Sequence, residues 1–281
     1  MPSELPASAL YSHPSLGRLW KKTHLAHSPF LHRKAVRQLY QKPAATIRQH
    51  LSPSYSLVAL GCADGIKESL LLQKLPPPTL LLALDTNLSL ARRAARRLHA
   101  HHKIPRKVDL TSTFTFLNPR LKNKNHQSLQ TLPRLITLFG VLPNLNPLPL
   151  LRRLAQQMHP RDLLLFSVNL APGNSSFAGA RKVLPQYDNS TTRRWLEAAV
   201  KRYRPKLPPG TLEFGIHPDP NQNSLARIEA RWICQKSTRI VFASRRPTAS
   251  QVNSWIRATR LRTTARFCEP FGEEGLWLVS Y

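Results

Sequence analysis

The stretch Val58-Ala-Leu-Gly-Cys-Ala-Asp-Gly-Ile-Lys67 contains the turn on which the prediction of the fold depends. It belongs to a short apolar run, residues 55–61, that stops at Gly61 and is typical of a buried strand. A glycine in that position lets the backbone turn sharply and approach a ligand closely. The residues that follow, Lys67–Leu75, predict a helix that ends at the three prolines 76–78.

Strand and helix patterns alternate from this turn to about residue 170. Four more strands are predicted: residues 80–84, a short strand that ends at Asp109, residues 135–139 and residues 163–170. Helical spacing predicts helices at 88–101 and 148–158, and polar composition predicts a loop at 118–131. Each pair of parallel strands needs a crossover, which is usually a helix. The alternation therefore predicts an α/β fold with a doubly wound, mostly parallel, Rossmann-like sheet.

The pattern changes after Pro172. Two alternating runs, Ala226–Cys234 and Thr238–Phe242, are separated by three residues and predict an antiparallel hairpin. Residues 31–51 have helical spacing, so the N-terminal segment is predicted to be helical. The other predicted elements are a helix at 182–203, a strand at 213–216, a helix at 249–261 capped by Thr248, and strands at 263–267 and 275–281.

Acidic residues are rare in the first part of the chain, and two of them fall where a nucleoside would bind. Between Gly65 and Asp162 the acids are Glu68, Asp85 and Asp109, and the last two end predicted strands. Ligands of open α/β sheets bind at the carboxyl ends of strands, where an acid can accept the hydroxyl protons of a ribose. The glycine turn matches neither G-x-G-x-x-G nor G-x-x-x-x-G-K-[ST], so S-adenosylmethionine (SAM) fits better than NAD or ATP.

The whole chain is strongly basic. Its 281 residues include 42 Lys and Arg against 14 Asp and Glu, a net charge of +28, which points to nucleic acid as one candidate partner. The charge is spread over several segments and aromatic residues make up 7% of the chain, whereas a dedicated nucleic-acid binder more often gathers both on one face. An RNA target therefore stays open as an alternative.

The composition gives no reason to expect a membrane span, a disulfide framework or a metal site. No apolar run approaches the roughly 18 residues that cross a bilayer, so we expect no membrane partner. The three cysteines form no C-x-x-C pair and fit a reducing cytoplasm. His99, His101 and His102 lie near a helix end, where the helix dipole alone favours histidine, and we expect no metal there.

The glycine turn and several later motifs resemble the histidine-specific SAM-dependent methyltransferases of the ergothioneine pathway. In that family a lysine follows the glycine by six residues, as Lys67 follows Gly61 here. Its ribose-binding acid resembles Asp85, and its adenine-contacting Asp-Phe resembles Asp109-Leu110. The similarity runs in the same order over about residues 55–281 and implies a class I methyltransferase fold. The expected cofactor site consists of Gly61, Gly65, Lys67, Asp85, Asp109 and Leu110.

Three later motifs carry the resemblance into the substrate site. The family's Gly-Asn-Leu-x-Pro and Tyr-Asp-Asp/Asn stretches resemble residues 143–147 and 187–189, and its Arg-Ile-Glu resembles residues 227–229. In the family the asparagine touches the backbone of the substrate amino acid and the tyrosine binds the substrate. The resemblance therefore implies that Asn144 and Tyr187 position the nucleophile, and we take them as the candidate catalytic pair.

Three departures from the family change the expected substrate. The family's Glu-x-Ser, which reads the imidazole of histidine, is replaced by Phe242-Ala-Ser244, and a pocket methionine is replaced by Ala230. The family's N-terminal Tyr-Tyr-x-Thr-Arg segment has no clear match in residues 1–50. Without the Glu an imidazole N–H would be left unpaired, at a cost of about 1–3 kcal/mol, so we expect histidine to be discriminated against. The expected substrate site is Asn144, Tyr187, Ala230, Phe242 and Ser244, which suits an aromatic amino acid or another amine.

These observations predict a SAM-dependent N-methyltransferase that acts on a small amine or amino acid and works as a monomer. Two alternatives stay open: an RNA-directed methyltransferase, and a non-catalytic protein that binds SAM or serves as a partner. The expected organisation is an N-terminal helical segment (1–50), a SAM-binding core (51–180), a substrate-recognition insertion with the hairpin (181–247), and a C-terminal helix and strands that complete the core sheet (248–281).

Overall fold

The structure is a computed structural model that describes residues 4–111, 131–235 and 237–281. The loop predicted at 118–131 lies, except for Thr131, outside these residues. The helices within the described ranges are α1 (Ala9–Ser12), α2 (Pro14–His27), α3 (Pro29–His32), α4 (Lys34–Leu39), α5 (Ala44–His50), α6 (Ile66–Leu72), α7 (Leu88–Arg97), α8 (Pro147–Gln157), α9 (Ser176–Val183), α10 (Ser190–Tyr203) and α11 (Ala249–Arg257). The strands are β1 (Ser56–Leu60), β2 (Leu80–Asp85), β3 (His102–Lys107), β4 (Arg134–Leu138), β5 (Leu163–Asn169), β6 (Thr211–Asp219), β7 (Gln222–Cys234), β8 (Ser237–Arg246), β9 (Arg262–Cys268) and β10 (Glu274–Ser280). None of the helices described is both long and apolar enough to cross a membrane.

Seven strands form one sheet in the order β3-β2-β1-β4-β5-β10-β9. Neighbours from β3 to β5 run parallel, and β10 runs antiparallel to both β5 and β9. The predicted mostly parallel, doubly wound sheet is therefore confirmed. The strand order reverses between β1 and β4, and ligands of such sheets bind in the crevice at that point, outside the carboxyl ends of the strands.

The central strands of the sheet are buried along their whole length, because helices cover both of its faces. Successive residues of β1 point to opposite faces. Val58 and Leu60 pack in a core cluster with residues of α8 and α11. Leu57 and Ala59 pack in a second cluster with residues of α4, α5, α6 and α7. This two-sided packing fixes the strand ends from which the glycine turn and the acidic residues project.

The remaining strands form an antiparallel sheet in the order β6-β7-β8. The predicted hairpin is confirmed as β7 and β8, and the strand predicted at 213–216 is the longer β6. One face packs against α1, α2 and α10, with Trp195 and Phe242 in the shared cluster. Farther along the same face, Ala226 and Ile228 of β7 pack against α9. The N-terminal helices are thereby held against this second sheet.

Two segments predicted as continuous helices are broken. Residues 31–51 contain α3, α4 and α5 as separate short helices, with an extended backbone at Arg33 and a break before Pro43. The helix predicted at 182–203 is interrupted at Pro185, and α10 starts afresh after Asn189, whose side chain caps it. Both prolines lack the amide hydrogen that a helix interior requires, and each marks the start of a new helical segment.

Other helix ends follow local signals. The predicted N-cap Thr248 is confirmed, and Gln251 completes a capping box with it. Helix α7 ends at Arg97 rather than at residue 101, because the chain must return to the start of β3 at His102.

Candidate functional site

A cavity of about 320 Å³ lies at the carboxyl ends of the central strands. Its wall includes the residues that follow β1, β2, β3 and β4, together with side chains from α1, α2 and α3 and from α10 and β8. The volume is in the range of small-molecule sites. The position is the one at which an open α/β sheet binds its ligand.

The turn after β1 adopts a backbone that requires glycine. Gly61 and Gly65 have φ angles of 60° and 75°, and Ala63 between them has φ 46°. A Cβ on Gly61, which lines the cavity, would lie 2.5 Å from Cγ2 of Val141. Gly65 is not in the cavity wall; a Cβ there would lie 3.1 Å from Cβ of Ala94 in α7. Gly61 therefore shapes the cavity directly, whereas Gly65 lets the turn pack against a helix.

Asp85, at the end of β2, is buried at the cavity and organises the turn. One carboxylate oxygen accepts a hydrogen bond from the Ala63 amide at 2.9 Å, and the other accepts one from the Asn87 amide at 2.8 Å. Burial raises the pKa of Asp85, although these two hydrogen bonds act in the opposite direction. The Thr86 side chain also donates to this carboxylate, so one of its four lone pairs stays available and a second becomes available when the Thr86 bond is exchanged for another donor. The group therefore fits the two hydroxyls of a ribose.

Asp109 follows β3 by two residues and also lines the cavity. Its carboxylate accepts hydrogen bonds from the amide and the hydroxyl of Thr111, at 2.9 and 2.6 Å. Leu110 beside it is buried, and its carbonyl oxygen accepts a hydrogen bond from Arg153 at 2.9 Å. An acid and an apolar side chain thus lie next to each other in the part of the cavity wall that the residues after β2 and β3 form.

Lys67 points into the protein rather than to solvent. Its Nζ lies 3.2 Å from Oε1 of Glu274 on β10, and 5.2 and 5.0 Å from the ring centroids of Phe30 and Tyr40. The Tyr40 hydroxyl donates to the same Glu274 oxygen. Tyr40 and Glu274 are far from the glycine turn in the sequence, so no local pattern pointed to them.

Asn144 and Tyr187 both line the cavity. Asn144 ends a short 3₁₀ turn after β4, and its Nδ2 lies 3.5 Å from the hydroxyl oxygen of Tyr11. Tyr187 follows the 3₁₀ turn at 184–186. The guanidinium of Arg246 lies 4.9 Å from the centre of the Tyr187 ring and donates to its hydroxyl.

The other substrate residues expected from the sequence divide into two groups. Phe242 lines the cavity, with its ring 5.7 Å from that of Tyr187. Ala230 lies opposite Phe242 in the register of β7 and β8, is fully buried and is not part of the cavity wall. Ser244 is also buried away from the wall, and its hydroxyl has no hydrogen-bond partner among the residues that the structure describes.

Aromatic residues of the N-terminal helices complete the cavity, and sequence reasoning did not find them. Tyr11 packs with its ring 5.9 Å from Trp20 and 5.4 Å from Trp195 of α10. The ring of His24 stacks on Trp20 at 5.1 Å, and burial lowers the pKa of His24 to about 4, so the ring is neutral at pH 7. Burial also raises the pKa of Tyr11, and the neighbouring Tyr187 and Asp85 act in the same direction. The aromatic and histidine content of residues 1–50 was the only available signal.

The cavity concentrates the negative charge of a basic protein. Six of the 14 acidic residues line it, although the net charge is +28. Such a wall attracts cations, which include both a sulfonium and an amine. Within the described ranges no three His, Cys, Asp or Glu side chains are grouped so as to hold a metal ion. The six acids are Asp64, Glu68, Asp85, Asp109, Glu273 and Glu274.

Glu68 should make stability depend on pH. It is buried, its side chain accepts a hydrogen bond from the Thr137 hydroxyl at 3.3 Å, and burial raises its pKa from 4.5 to about 7. The folded protein therefore holds a proton that the unfolded chain has released, so Glu68 costs stability progressively as pH rises from 4.5 to about 7. We expect Glu68→Gln to become increasingly more stable than the parent over this interval, with a constant difference above it. Urea unfolding of both proteins at several pH values measures this, and a pH-independent difference would contradict it.

The sheet order and the acids at the ends of β2 and β3 define a class of protein, the SAM-dependent methyltransferases of class I fold. A model of the family described as "Histidine-specific methyltransferase, SAM-dependent" matches residues 1–199. The chain belongs to this family, and its cofactor is SAM. The match includes the N-terminal helices, and it ends before β6, so the antiparallel sheet with Phe242 and Arg246 lies outside it.

Several solved methyltransferase structures are similar over most of the chain. A SAM-dependent methyltransferase from Clostridium acetobutylicum ATCC 824 covers 93% of this chain and 98% of its own, with 10% identity and a TM-score of 0.49. CalS10, an amino pentose methyltransferase from Micromonospora echinaspora, covers 89% and 92%, with 14% identity and a TM-score of 0.42. The plantazolicin methyltransferase BpumL covers 98% and 94%, with 12% identity and a TM-score of 0.45. No curated protein matched the sequence.

Proposed function

We propose that the protein transfers a methyl group from SAM to the nitrogen of a small amine or amino acid. One observation carries this proposal: residues expected for the cofactor and residues expected for the acceptor line the same cavity. Gly61, Asp85 and Asp109 are part of its wall, and so are Asn144 and Tyr187. A methyl transfer requires donor and acceptor side by side at near-attack distance, which a shared cavity allows.

The cofactor residues have distinct proposed roles. SAM supplies a methyl group that is already activated on a sulfonium, so the protein has to bind and align rather than form a covalent bond. Asp85 accepts the ribose hydroxyls with the lone pairs that Ala63 and Asn87 leave available. Asp109 and Leu110 border the adenine. Gly61 keeps the wall free of a side chain, and Gly65 supports the turn from behind.

Asn144 and Tyr187 are the proposed positioning groups for the nucleophile. The reacting nitrogen must be a neutral amine, with its lone pair directed at the methyl carbon. The carbonyl oxygen of Asn144 and the hydroxyl oxygen of Tyr187 can each accept a hydrogen bond from an amine N–H, which orients that lone pair. Arg246 fixes Tyr187 from the side by packing on its ring and donating to its hydroxyl.

The acceptor proposed here carries an aromatic or flat apolar side chain. The Trp195 ring lies 6.3 Å from Phe242 and 5.4 Å from Tyr11, and Phe242 lies 5.7 Å from Tyr187. All four rings line the cavity. Such rings offer apolar area and favourable ring-to-ring contacts, and those of Phe242 and Trp195 carry no acceptor for an imidazole N–H. Phe242 stands where the family resemblance has a carboxylate, which supports a change of acceptor.

Replacing Phe242 by Glu should shift preference towards histidine. The carboxylate would supply the partner that an imidazole N–H lacks in the parent protein, and one hydrogen bond to a charged group corresponds to about tenfold or more. We expect kcat/KM for L-histidine relative to L-phenylalanine to rise about tenfold. Phe242→Leu is the matched control, since it removes the ring without adding an acceptor. An unchanged ratio in Phe242→Glu would count against this assignment of the pocket.

The proposed reaction is tested by transfer of an isotopically labelled methyl group to a panel of amines and amino acids. We expect incorporation with at least one aromatic amino acid or amine, and none with total RNA. Transfer to RNA alone would favour the RNA-directed alternative. SAM binding by calorimetry without transfer to any acceptor would favour a non-catalytic protein. The six acids of the cavity wall support a small amine acceptor over a phosphate backbone, which carries a negative charge at every nucleotide.

A further inference from the structure

Four arginines are buried in the residues that the structure describes, and three of them have a carboxylate partner. A buried charge is strongly unfavourable unless it is paired. The three pairs place the arginine and carboxylate within salt-bridge distance, and each lies away from the cavity wall. They are Arg134 with Asp162, Arg227 with Glu229 at 3.1 Å, and Arg245 with Asp219 at 2.6 Å.

Arg246 is the fourth buried arginine, and it differs from the other three both in its partners and in its position relative to the cavity. It is 3% exposed and lines the cavity. No carboxylate oxygen lies within 4.0 Å of it in the described residues, which include every Asp and Glu of the chain. Its Nη2 donates to Tyr187 and its Nη1 reaches the Leu170 carbonyl oxygen at 3.5 Å, while its Nε has no partner in that part of the chain.

We propose that the Arg246 guanidinium is an anion-binding subsite that takes a carboxylate of the methyl acceptor. This inference rests on the proposed function and deepens it, because it selects amino acids over simple amines. A guanidinium has five N–H donors, and the two contacts above use only two of them. Its planar fork matches a carboxylate, and a charge-assisted pair would offset the cost of burying the cation.

The neighbours of Arg246 place this subsite beside the proposed nucleophile. Tyr187, which holds the amine in the proposed reaction, is in direct contact with the guanidinium. Phe242 precedes Arg246 by four residues on β8, and both line the cavity. An amino acid could therefore present its amine to Tyr187, its carboxylate to Arg246 and its ring to Phe242. The adjacent Arg245 lies outside the wall and is occupied by Asp219.

Binding of acceptor pairs that differ only in the carboxylate tests the subsite. The pairs are L-phenylalanine and 2-phenylethylamine, L-tryptophan and tryptamine, and L-histidine and histamine, titrated into protein saturated with S-adenosylhomocysteine. We expect the parent protein to bind the carboxylate member of at least one pair about tenfold more tightly. In Arg246→Gln this ratio should fall to about one. Arg246→Lys should keep part of it, because it keeps the charge without the fork.

Arg231→Gln is the control, because Arg231 belongs to the same sheet but pairs with Glu229 outside the cavity wall. It should leave every ratio unchanged. Thermal unfolding followed by circular dichroism shows whether each variant folds. If Arg246→Gln does not fold, Arg246→Lys is compared with the parent instead. The subsite is overturned if no pair favours its carboxylate member in the parent, or if the preference persists in the folded Arg246 variant.

Two further readouts separate this inference from the proposed function and from a cofactor role. If S-adenosylhomocysteine affinity falls in Arg246→Gln as much as acceptor affinity does, Arg246 binds the cofactor carboxylate and the subsite is overturned. Methyl transfer to amines without any dependence on Arg246 would leave the proposed function intact and remove the subsite. Carboxylate binding that depends on Arg246, without methyl transfer to any member of the panel, would support the subsite and remove the proposed function.

Discussion

Asp85→Ala is expected to lower the affinity for SAM by at least about a hundredfold. The carboxylate is proposed to accept two hydroxyl groups, and two hydrogen bonds to a charged acceptor account for a loss of that size. The substitution also removes the acceptor of the Ala63 and Asn87 amides. Ala63 has an unfavourable positive φ angle, so the turn loses one of the contacts that hold it. Isothermal titration with SAM measures the affinity directly.

Asp64→Asn is the matched control for Asp85→Ala. Asp64 is an acid of the same turn and the same cavity wall, but its carboxylate pairs with the half-exposed Arg97 at 3.6 Å. We expect this variant to change SAM affinity by no more than a few fold, through the loss of one negative charge near a cation. Circular dichroism should show that both variants fold. SAM affinity within a few fold of the parent in a folded Asp85→Ala would refute the proposed ribose contact.

The distribution of acidic residues sets the cavity apart from the rest of a protein with a net charge of +28. Acids are scarce in the sequence, yet six of the 14 line one cavity. Glu68 and Asp85 in that wall have pKa values raised by burial, and burial acts because the cavity is enclosed by apolar rings and helices. Three of the other acids in the wall are paired, Asp64 with Arg97, Glu273 with Arg33 and Glu274 with Lys67. The net charge describes the outside of the molecule, whereas the positions of the acids identify the site.

The sequence allowed prediction of the part of the site that consecutive elements form. Gly61 and Asp109 follow β1 and β3 of one parallel sheet, and Asp85 ends β2, so all three lie at the same edge of the sheet. The spacing of an apolar run, a glycine and an acid was enough to anticipate this. Asn144 follows β4 at the same edge, but it was predicted from the family resemblance and not from this spacing.

Long-range contacts set the rest of the site, and no local pattern encodes them. Tyr11 reaches the cavity because α1 and α2 pack against α10 and the second sheet. Glu274 reaches Lys67 because β10 inserts beside β5, after more than 200 residues of chain. By contrast, the breaks at Pro43 and Pro185 were visible in the sequence and could have been predicted from the missing amide hydrogens.

Glu274→Gln is expected to cost about 3 kcal/mol of unfolding free energy, because it removes the carboxylate that pairs with the buried Lys67 ammonium. Breaking a buried ion pair by removing one partner typically costs 3–5 kcal/mol, and the low end applies because the Lys67 side chain is 17% exposed. The Tyr40 hydroxyl also donates to this carboxylate, although Gln keeps an oxygen for that bond. Urea unfolding at pH 7 measures the change.

A double-mutant cycle with Lys67→Met distinguishes loss of the pair from general disruption. If the cost arises from the unpaired ammonium, Lys67→Met/Glu274→Gln should recover at least about half of the stability lost in Glu274→Gln, since neither charge remains. Glu273→Gln is the control; its carboxylate pairs with the partly exposed Arg33 at 3.0 Å, and we expect a cost of about 1 kcal/mol or less. A double variant that is no more stable than Glu274→Gln would show that the loss does not come from the unpaired Lys67 ammonium.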